Sequence, residues 1–376
     1  MHPLIAKDCL RLGKHMVTAS YVSKEMKAMA NEAKAKDLLF LNEVGVDPGI
    51  DHMITMRVLD EIRSEGAELK TFQSFTGGLV APESDNNPWH YKFSWNPRNV
   101  VLAGQGTSMF VQNGQYKYIP YQQVFRRYEE LDVPNYGSFE GYANRDSLKY
   151  RATYGIEDCP TVFRGTLRRP GFCEAWDTFV QLGMTDDTYE MENVSSMTHR
   201  DFINSFLMWR PSDSVELKLA YHLGLSIDSP VMQKLKWLGI FENRKVGLQK
   251  GTPAQILQAI LEKKWGLKKG EKDMVVMYNQ FIYENKSGDC QEVVSTMVAK
   301  GDGTESGTAM ARTVGLPLAI ATKLVVNNQL PMFKGVHIPT HKEIYAPILN
   351  ELEKDFGIEF TNQRNKIYRV KEDIHL

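Results

Sequence analysis

The four cysteines of this sequence, Cys9, Cys159, Cys173 and Cys290, stand far apart, and no pair has CxxC spacing. That absence argues against a zinc site or a redox dithiol and leaves free, buried thiols in a reducing compartment. Charge of one sign is lacking too. Lys plus Arg number 45 against 46 Asp plus Glu, a formal net charge of -1. Nothing in that balance points to nucleic acid or a membrane surface, so an anion site must come from a local arginine cluster. The longest apolar stretch, residues 314–326, contains Lys323 and falls short of the ~20 residues of a membrane span. The opening MHPLIAKDCLRLGK has early charges and no apolar segment, unlike a signal peptide. A cytoplasmic protein is expected. No HExxH, GxSxG or P-loop pattern occurs, nor a metal-ligand cluster.

What is present begins with alternation. The 376 residues are long for one core, so two or three domains are expected. Leu4, Ile5, Cys9, Leu10 and Leu12 give a short amphipathic helix ending at Gly13. HMVTASY (15–21) reads as a strand, and Ser23 caps a helix over KEMKAMANEAKAK. LLFLNEVGV reads as a second strand, Asp47-Pro48-Gly49 as a turn, and Asp51 as the start of another helix. Short connections between alternating elements imply parallel strands in an open α/β sheet, where ligands sit outside the strands' carboxyl ends. Those ends are Thr18-Ala19-Ser20-Tyr21 and Glu43-Val44-Gly45-Val46-Asp47. The G-x-G-x-x-G turn of an opening βαβ unit of ~30 residues is not found, and the chain starts after the point where it should stand.

From residue 69 to 172 the pattern turns to β: KTFQSFTGGL, YKFSW, QYKYIPY and TVFRGTLRR read as strands. Residues 173–270 are mostly helical. MVVMYNQFIYENKSGDCQEVVSTMVAKG reads as a hairpin, TAMARTVGLPLAIATKLVV and YAPILNELEKDFG as helices, and IEFTN as a short β stretch. The fold class is therefore α/β plus α+β.

Strand periodicity places Arg164, Thr166 and Arg168 on one face, with Val162. Two guanidiniums and a hydroxyl there suit a ligand with several carboxylates. A solvated face paired with nearby Asp or Glu satisfies the same pattern. Arg145, in the turn-like YANRDS (142–147), is either a carboxylate clamp or a partner of Asp146. Asp47 is a hydrogen-bond acceptor for a substrate amine or simply a turn residue. His52 is a proton carrier or a structural histidine. GDGTESG (301–307) opens a helix, but its acidic pair would repel phosphate, so it reads as a loop closing the domain.

Together these segments resemble the glutamate-forming saccharopine dehydrogenase (saccharopine reductase) family. KHMVTASYVSKEM is similar to that family's strand ending in Ser-Tyr, and NEVGVDPGIDHM to its NEIGLDPGIDH-type segment. FTGGLVAPESDNNPWHYKFSW is similar to its YCGGLPAPE…DNPLGYKFSW stretch, and YANRDS and FRGTLRRPGF to its next motifs. The resemblance runs over nearly the whole chain in the same order. It implies reduction by NADPH of an imine between 2-aminoadipate 6-semialdehyde and glutamate, or the reverse with NADP. By resemblance Ser20, Tyr21, Asp47, Arg145, Thr166, Leu167 and Arg168 contact saccharopine. Val46, Asp47, Pro48, Phe93, Ser94 and Trp95 line the nicotinamide side, and Tyr21 and Asp47 are the candidate proton shuttles. It also implies a partial Rossmann-type parallel sheet (1–55 and 300–335) and a β-rich substrate and dimerisation domain (56–172, 271–299 and 336–376). A helical domain (173–270) and a homodimer complete the expectation, with NADP(H) binding weakened without the glycine-rich unit. Phe75-Thr76 replaces the family's Tyr-Cys, which leaves open an enzyme for another amino-acid imine. A cofactor-less homologue that binds an amino acid or a partner chain is the remaining alternative.

Overall fold

The computed structural model describes residues 1–367; residues 368–376 of the expected β-rich domain lie outside the described residues. Twelve strands follow one another along the described chain: β1 (Met16–Val17), β2 (Leu39–Leu41), β3 (Glu68–Val80), β4 (Ser108–Gln112), β5 (Gln115–Ile119), β6 (Tyr128–Val133), β7 (Gly137–Ala143), β8 (Thr161–Arg168), β9 (Asp273–Glu284), β10 (Cys290–Lys300), β11 (Gly335–His337) and β12 (Phe360–Ile367). β1, β2 and β11 make a small parallel sheet in the order β1-β2-β11. The other nine make a mixed sheet along the path β12-β10-β9-β3-β8-β4-β5, with β7 on β8 and β6 on β7.

β3 is the hinge of this arrangement. It runs antiparallel to β9 and parallel to β8, with Ser74 beside Arg164 and Thr76 beside Thr166. Residues paired this way project to the same face, so Ser74, Thr76, Arg164, Thr166 and Arg168 share one. Phe75 and Phe163 project to the other, their ring centroids 5.3 Å apart. Helices Ile50–Ser64, Ala309–Val326 and Lys342–Phe356 supply apolar side chains to one core with Phe72, Met277, Phe281 and Met297 of the sheet. A second core joins Phe75, Phe163 and Leu167 to the helical stretch through Trp89, Phe172, Trp176, Phe179 and Trp265. Side-chain caps explain where helices of that stretch start: Thr198 and Thr252 each close a capping box, and Ser214 and Ser229 accept from the third helical residue.

Helix Ala309–Val326 extends beyond the apolar stretch of residues 314–326 and is long and apolar enough to cross a membrane. Here it packs on β9, β10 and helix Lys342–Phe356. All four cysteines are free, Cys159 and Cys173 buried, Cys9 and Cys290 partly so.

Several sequence expectations need correction. YKFSW is no strand: Phe93 makes an isolated bridge to Gly266, its N–H donating to the Trp265 carbonyl at 2.7 Å. A short aromatic run buried in a tryptophan cluster imitates a strand pattern. HMVTASY pairs only at Met16 and Val17, because after Thr18 donates to Leu41 the chain turns back to meet Glu43. The second strand likewise stops at Leu41. The helix after Ser23 breaks at Met29 into Lys24–Ala28 and Ala30–Ala35. IEFTN grows into β12, paired with β10 from Phe360 to Ile367. Tyr142 and Ala143 belong to β7 rather than to a turn, and strands β4, β6 and β7 escaped the pattern.

Candidate active site

The carboxyl ends of β1 and β2 face the row of polar residues on β3 and β8. After β2 the chain passes Glu43, at a left-handed φ of 58°, and a cis Asp47–Pro48 peptide. At Gly49 φ is 151° and any side chain would strike the backbone of Gly45, so only glycine serves there. Gly49 opens helix Ile50–Ser64, and its N–H donates to Asp51 Oδ1 at 2.5 Å. Arg164 Nη2 donates to Asp51 Oδ2 at 2.6 Å and to Asp47 Oδ1 at 2.9 Å. Its guanidinium also lies 3.9 Å from the Tyr150 ring centroid.

One guanidinium thus serves two carboxylates. Burial pushes both acids up. At Asp47 the charge and hydrogen bond of Arg164 more than offset this, and its carboxyl is held below the ordinary range. Asp51 is deeper and beside a second carboxylate, and stays above it. His52 is fully buried next to them, Nε2 2.7 Å from Glu43 Oε2 and Nδ1 2.8 Å from the Tyr154 hydroxyl. Burial opposes its charge, but Asp51 and Glu43 outweigh burial and raise it. The Tyr21 hydroxyl donates to Asp47 across 3.4 Å, and the Thr76 side chain also lies against Asp47.

Further along β8, Arg168 is 3% exposed. Its guanidinium sits 5.1 Å from the Tyr91 ring, 5.2 Å from Phe172 and 5.8 Å from Tyr142. Nη1 donates to the Leu167 carbonyl at 3.0 Å, and Nε has no partner. Its register neighbour Glu140 faces the wrong work: the carboxylate accepts from Gly171 N and, at 2.8 Å, from Cys173 N, capping helix Phe172–Gln181. Among the described residues no carboxylate is within ion-pair distance of Arg168. The Tyr91 and Tyr142 hydroxyls are buried without a well-aligned hydrogen bond, leaning on Trp95 and Thr166 respectively.

The residues expected to meet saccharopine are therefore spread along one line. Tyr21 and Asp47 lie at one end, Thr166 beside Thr76 in the middle, Arg168 at the other end. Ser20 Oγ is at the near end, 2.9 Å from His2 Nε2. Leu167 projects away, into the core beneath Gly77. Arg145 is exposed at a left-handed φ of 51°, and its side chain has no hydrogen bond or ion pair among the described residues. It does not pair with Asp146, which instead accepts from Leu148 N at 2.9 Å. Val46, Pro48 and Phe93 are buried, Ser94 partly so, and Trp95 is 40% exposed.

Sequence reasoning placed Glu43 at a strand end and singled out Thr76, but it assigned no site role to Asp51, Tyr150 or Tyr154 and left open what neutralises Arg164. Asp47 and Asp51, spaced one helical turn apart around Pro-Gly, carried the available signal. The Phe75-Thr76 replacement divides in two. Phe75 is fully buried under Gly141 and Gly165, where a methyl on Gly165 would stand 2.5 Å from its ring. Only Thr76 faces the site. The GDGTESG loop is closed on itself, Asp302 accepting from Thr304 N at 2.8 Å, and Asp273 caps Ala309 and Met310 at 2.7 and 3.0 Å. The helix start that would hold a phosphate is already occupied by a carboxylate.

A nicotinamide ring needs a flat apolar wall and polar groups for its carboxamide. The Ser94–Trp95 loop closes over Gly78, where a methyl would be 3.3 Å from Ser94 Oγ and 3.7 Å from Trp95 Cδ1. Ser94 Oγ is buried and unpartnered. Ser94 and Trp95 over Gly78 fit that group.

An open parallel sheet whose strand ends meet an acid–base corner and an uncompensated arginine defines an α/β protein with a site suited to an anionic, proton-exchanging ligand. Comparison with known proteins narrows the class. The family model described as the saccharopine dehydrogenase C-terminal domain matches residues 45–358. The chain is 32% identical over 375 residues to "Saccharopine dehydrogenase [NADP(+), L-glutamate-forming]" of Pyricularia oryzae, covering 95% of this chain and 81% of that one. It is 33% identical to the mitochondrial alpha-aminoadipic semialdehyde synthase of Bos taurus, covering 96% of this chain but 39% of that longer protein. The apo L-Glu-forming saccharopine dehydrogenase of Saccharomyces cerevisiae superposes with a TM-score of 0.86 at 30% identity, over 97% of this chain and 82% of that one. The chain belongs to the saccharopine dehydrogenase family.

Proposed function

We propose that this chain interconverts saccharopine with 2-aminoadipate 6-semialdehyde plus L-glutamate, using NADP(H), in lysine metabolism. The observation that carries this reading is Arg168: a buried guanidinium in an aromatic cage, without a counter-ion, in line with Asp47 and Tyr21. A buried charge left unpaired is costly, and aromatic faces offset only part of the cost. A carboxylate of the substrate supplies the missing partner bidentately, and saccharopine, with three carboxylates, has one to give while others reach solvent-side groups such as Arg145. Thr166 and Thr76 line the path between the ends and orient the ligand's length.

The cofactor supplies a hydride to, or takes one from, the carbon next to nitrogen. The protein's part is to hold that carbon against the Val46–Pro48 turn and Trp95, and to manage protons. Asp47, kept ionised by Arg164, accepts a hydrogen bond from the substrate's secondary amine. Tyr21, its hydroxyl pushed up by burial and by Asp47, stays protonated and donates. Formation and hydrolysis of the imine need such a pair. Phe75 lies in the core, so its replacement of a tyrosine leaves the substrate face unaltered.

The test is direct. NADP+ and saccharopine are mixed with the full chain and NADPH absorbance is followed, with glutamate and the semialdehyde identified as products. NADPH formation that depends on saccharopine is expected. Tight saccharopine binding without any hydride transfer would identify an amino-acid-binding homologue instead.

A further inference from the structure

We infer that Glu43 and His52 form a positioning pair that holds the Tyr21 hydroxyl on Asp47. This rests on the reading above, in which Tyr21 and Asp47 manage protons.

Tyr21 has little of its own to hold it. The residue as a whole is 47% exposed although its hydroxyl end is desolvated, and its contacts are the 3.4 Å bond to Asp47 and the Lys149 ammonium 5.0 Å from the ring centroid. The backbone on either side is clamped, and Glu43 is the clamp. Its N–H donates to the Ser20 carbonyl at 3.2 Å, and its Oε1 accepts from Val22 N at 2.9 Å. Tyr21 lies between those two anchors. Glu43 adopts a left-handed conformation (φ 58°), which a glutamate rarely takes and which surrounding structure must enforce.

The enforcement comes from His52. Glu43 Oε2 is 2.7 Å from His52 Nε2, whose other nitrogen is 2.8 Å from the Tyr154 hydroxyl. His52 belongs to helix Ile50–Ser64 and Tyr154 to helix Lys149–Tyr154. Val22 and His52 thus hold the carboxylate, and Tyr154 holds His52. Charge balance favours the same arrangement. Glu43, Asp47 and Asp51 are three acids, facing Arg164, an imidazolium at His52 and, at the rim, Lys149. A neutral His52 would leave the buried part with excess negative charge. Glu43 is 8% exposed and His52 fully buried, behind Tyr21 and Asp47. Neither meets substrate; both act through Tyr21.

The experiment is a double-mutant cycle with a second, activity-independent readout. Glu43→Ala removes both anchors of the carboxylate, and Glu43→Gln keeps an acceptor for Val22 but loses the ionic hold on His52. Each is made alone and in a Tyr21→Phe background. Glu43→Ala is expected to lower kcat for saccharopine oxidation by on the order of 100-fold, the scale of a misplaced catalytic group, with KM nearly unchanged. In the Tyr21→Phe background the same change adds less than about threefold, because coupled residues are not additive. Glu43→Gln gives a smaller loss with the same pattern and replaces the alanine variant should that one fail to fold. Amide hydrogen exchange at Val22 speeds up in Glu43→Ala. Full additivity of the Glu43 and Tyr21 losses, or unchanged exchange at Val22, overturns the inference. If the unaltered chain turns over no saccharopine, the functional reading falls, and exchange at Val22 alone still decides the clamp.

Discussion

Arg164 and Arg168 sit four residues apart on β8, on one face, both buried. They differ in what surrounds them. Arg164 is held by Asp47 and Asp51 and backed by Tyr150. Arg168 is held by rings and the Leu167 carbonyl, with no carboxylate, while the nearest acid in register, Glu140, caps a helix. The same side chain in the same strand is paired with carboxylates in one place and lacks one in the other. What separates them is the supply of carboxylates from elsewhere in the fold. The Asp47–Asp51 turn reaches the first arginine and not the second.

The comparison breaks first at Arg164. Arg164→Met leaves two buried carboxylates without the cation hydrogen-bonded to both, and removing one partner of a buried ion pair costs about 3–5 kcal/mol. Unfolding in urea is expected to show a loss of that size together with loss of activity. A midpoint equal to that of the unaltered chain would mean that Asp47 and Asp51 are balanced by something else. The matching change at Arg168 has the opposite signature. Arg168→Met removes an uncompensated charge from an aromatic cage, so stability holds or rises. Saccharopine affinity measured by calorimetry falls by ~10- to 100-fold, the worth of about 1.5–3 kcal/mol for hydrogen bonds to a charged group. Lost stability with unchanged affinity would reverse the roles assigned to the two arginines.

Much of this contrast was legible in sequence, but unevenly. Alternation along TVFRGTLRR gave the shared face of Arg164, Thr166 and Arg168, because strand period is a local property. Which arginine is neutralised was not local: Asp47 lies 117 residues before Arg164, joined only by the packing of two sheets. The Phe75-Thr76 replacement shows the same limit. Read as neighbours in sequence, both seem to alter the site; the pleat sends Phe75 into a pocket made by Gly141 and Gly165, and only Thr76 to the ligand side. The hairpin of β6 and β7 escaped because Tyr128, Glu129, Glu130 and Asp132 present charge rather than alternation, and pairing with β8 supplies what their propensity does not. YKFSW failed in reverse, its aromatics being strand-like in type but buried by tryptophans.

Arg145 tests the contrast from a third position. It is exposed and without a side-chain partner among the described residues, so it is free, as Arg168 is, but solvated. Exposed ion pairs are worth up to about 1 kcal/mol. Arg145→Ala is therefore expected to weaken saccharopine by about fivefold or less, and less so at high salt. Calorimetry at two ionic strengths checks it; a loss as large as that of Arg168→Met would show that the loop closes over the ligand and buries the guanidinium.

The smallest effect is a slope with pH. His52 is raised in the folded protein, chiefly by Asp51 and Glu43 acting against burial. A base whose folded value is raised adds stability that is complete below its unfolded value, about 6.5, and lost as pH rises through the folded value. His52→Asn removes that contribution. The difference in unfolding free energy between the unaltered chain and this variant should therefore be largest on the acid side of about 6.5 and shrink as pH rises. Asp47 changes in the other direction: its lowered value adds stability above about 3.9, lost only as pH falls through the folded value, so the two windows do not overlap. Urea titrations across the range separate them. A difference that instead grows as pH rises through about 6.5 would mean that His52 is neutral when folded, leaving Arg164 as the buried cation that Glu43, Asp47 and Asp51 must share.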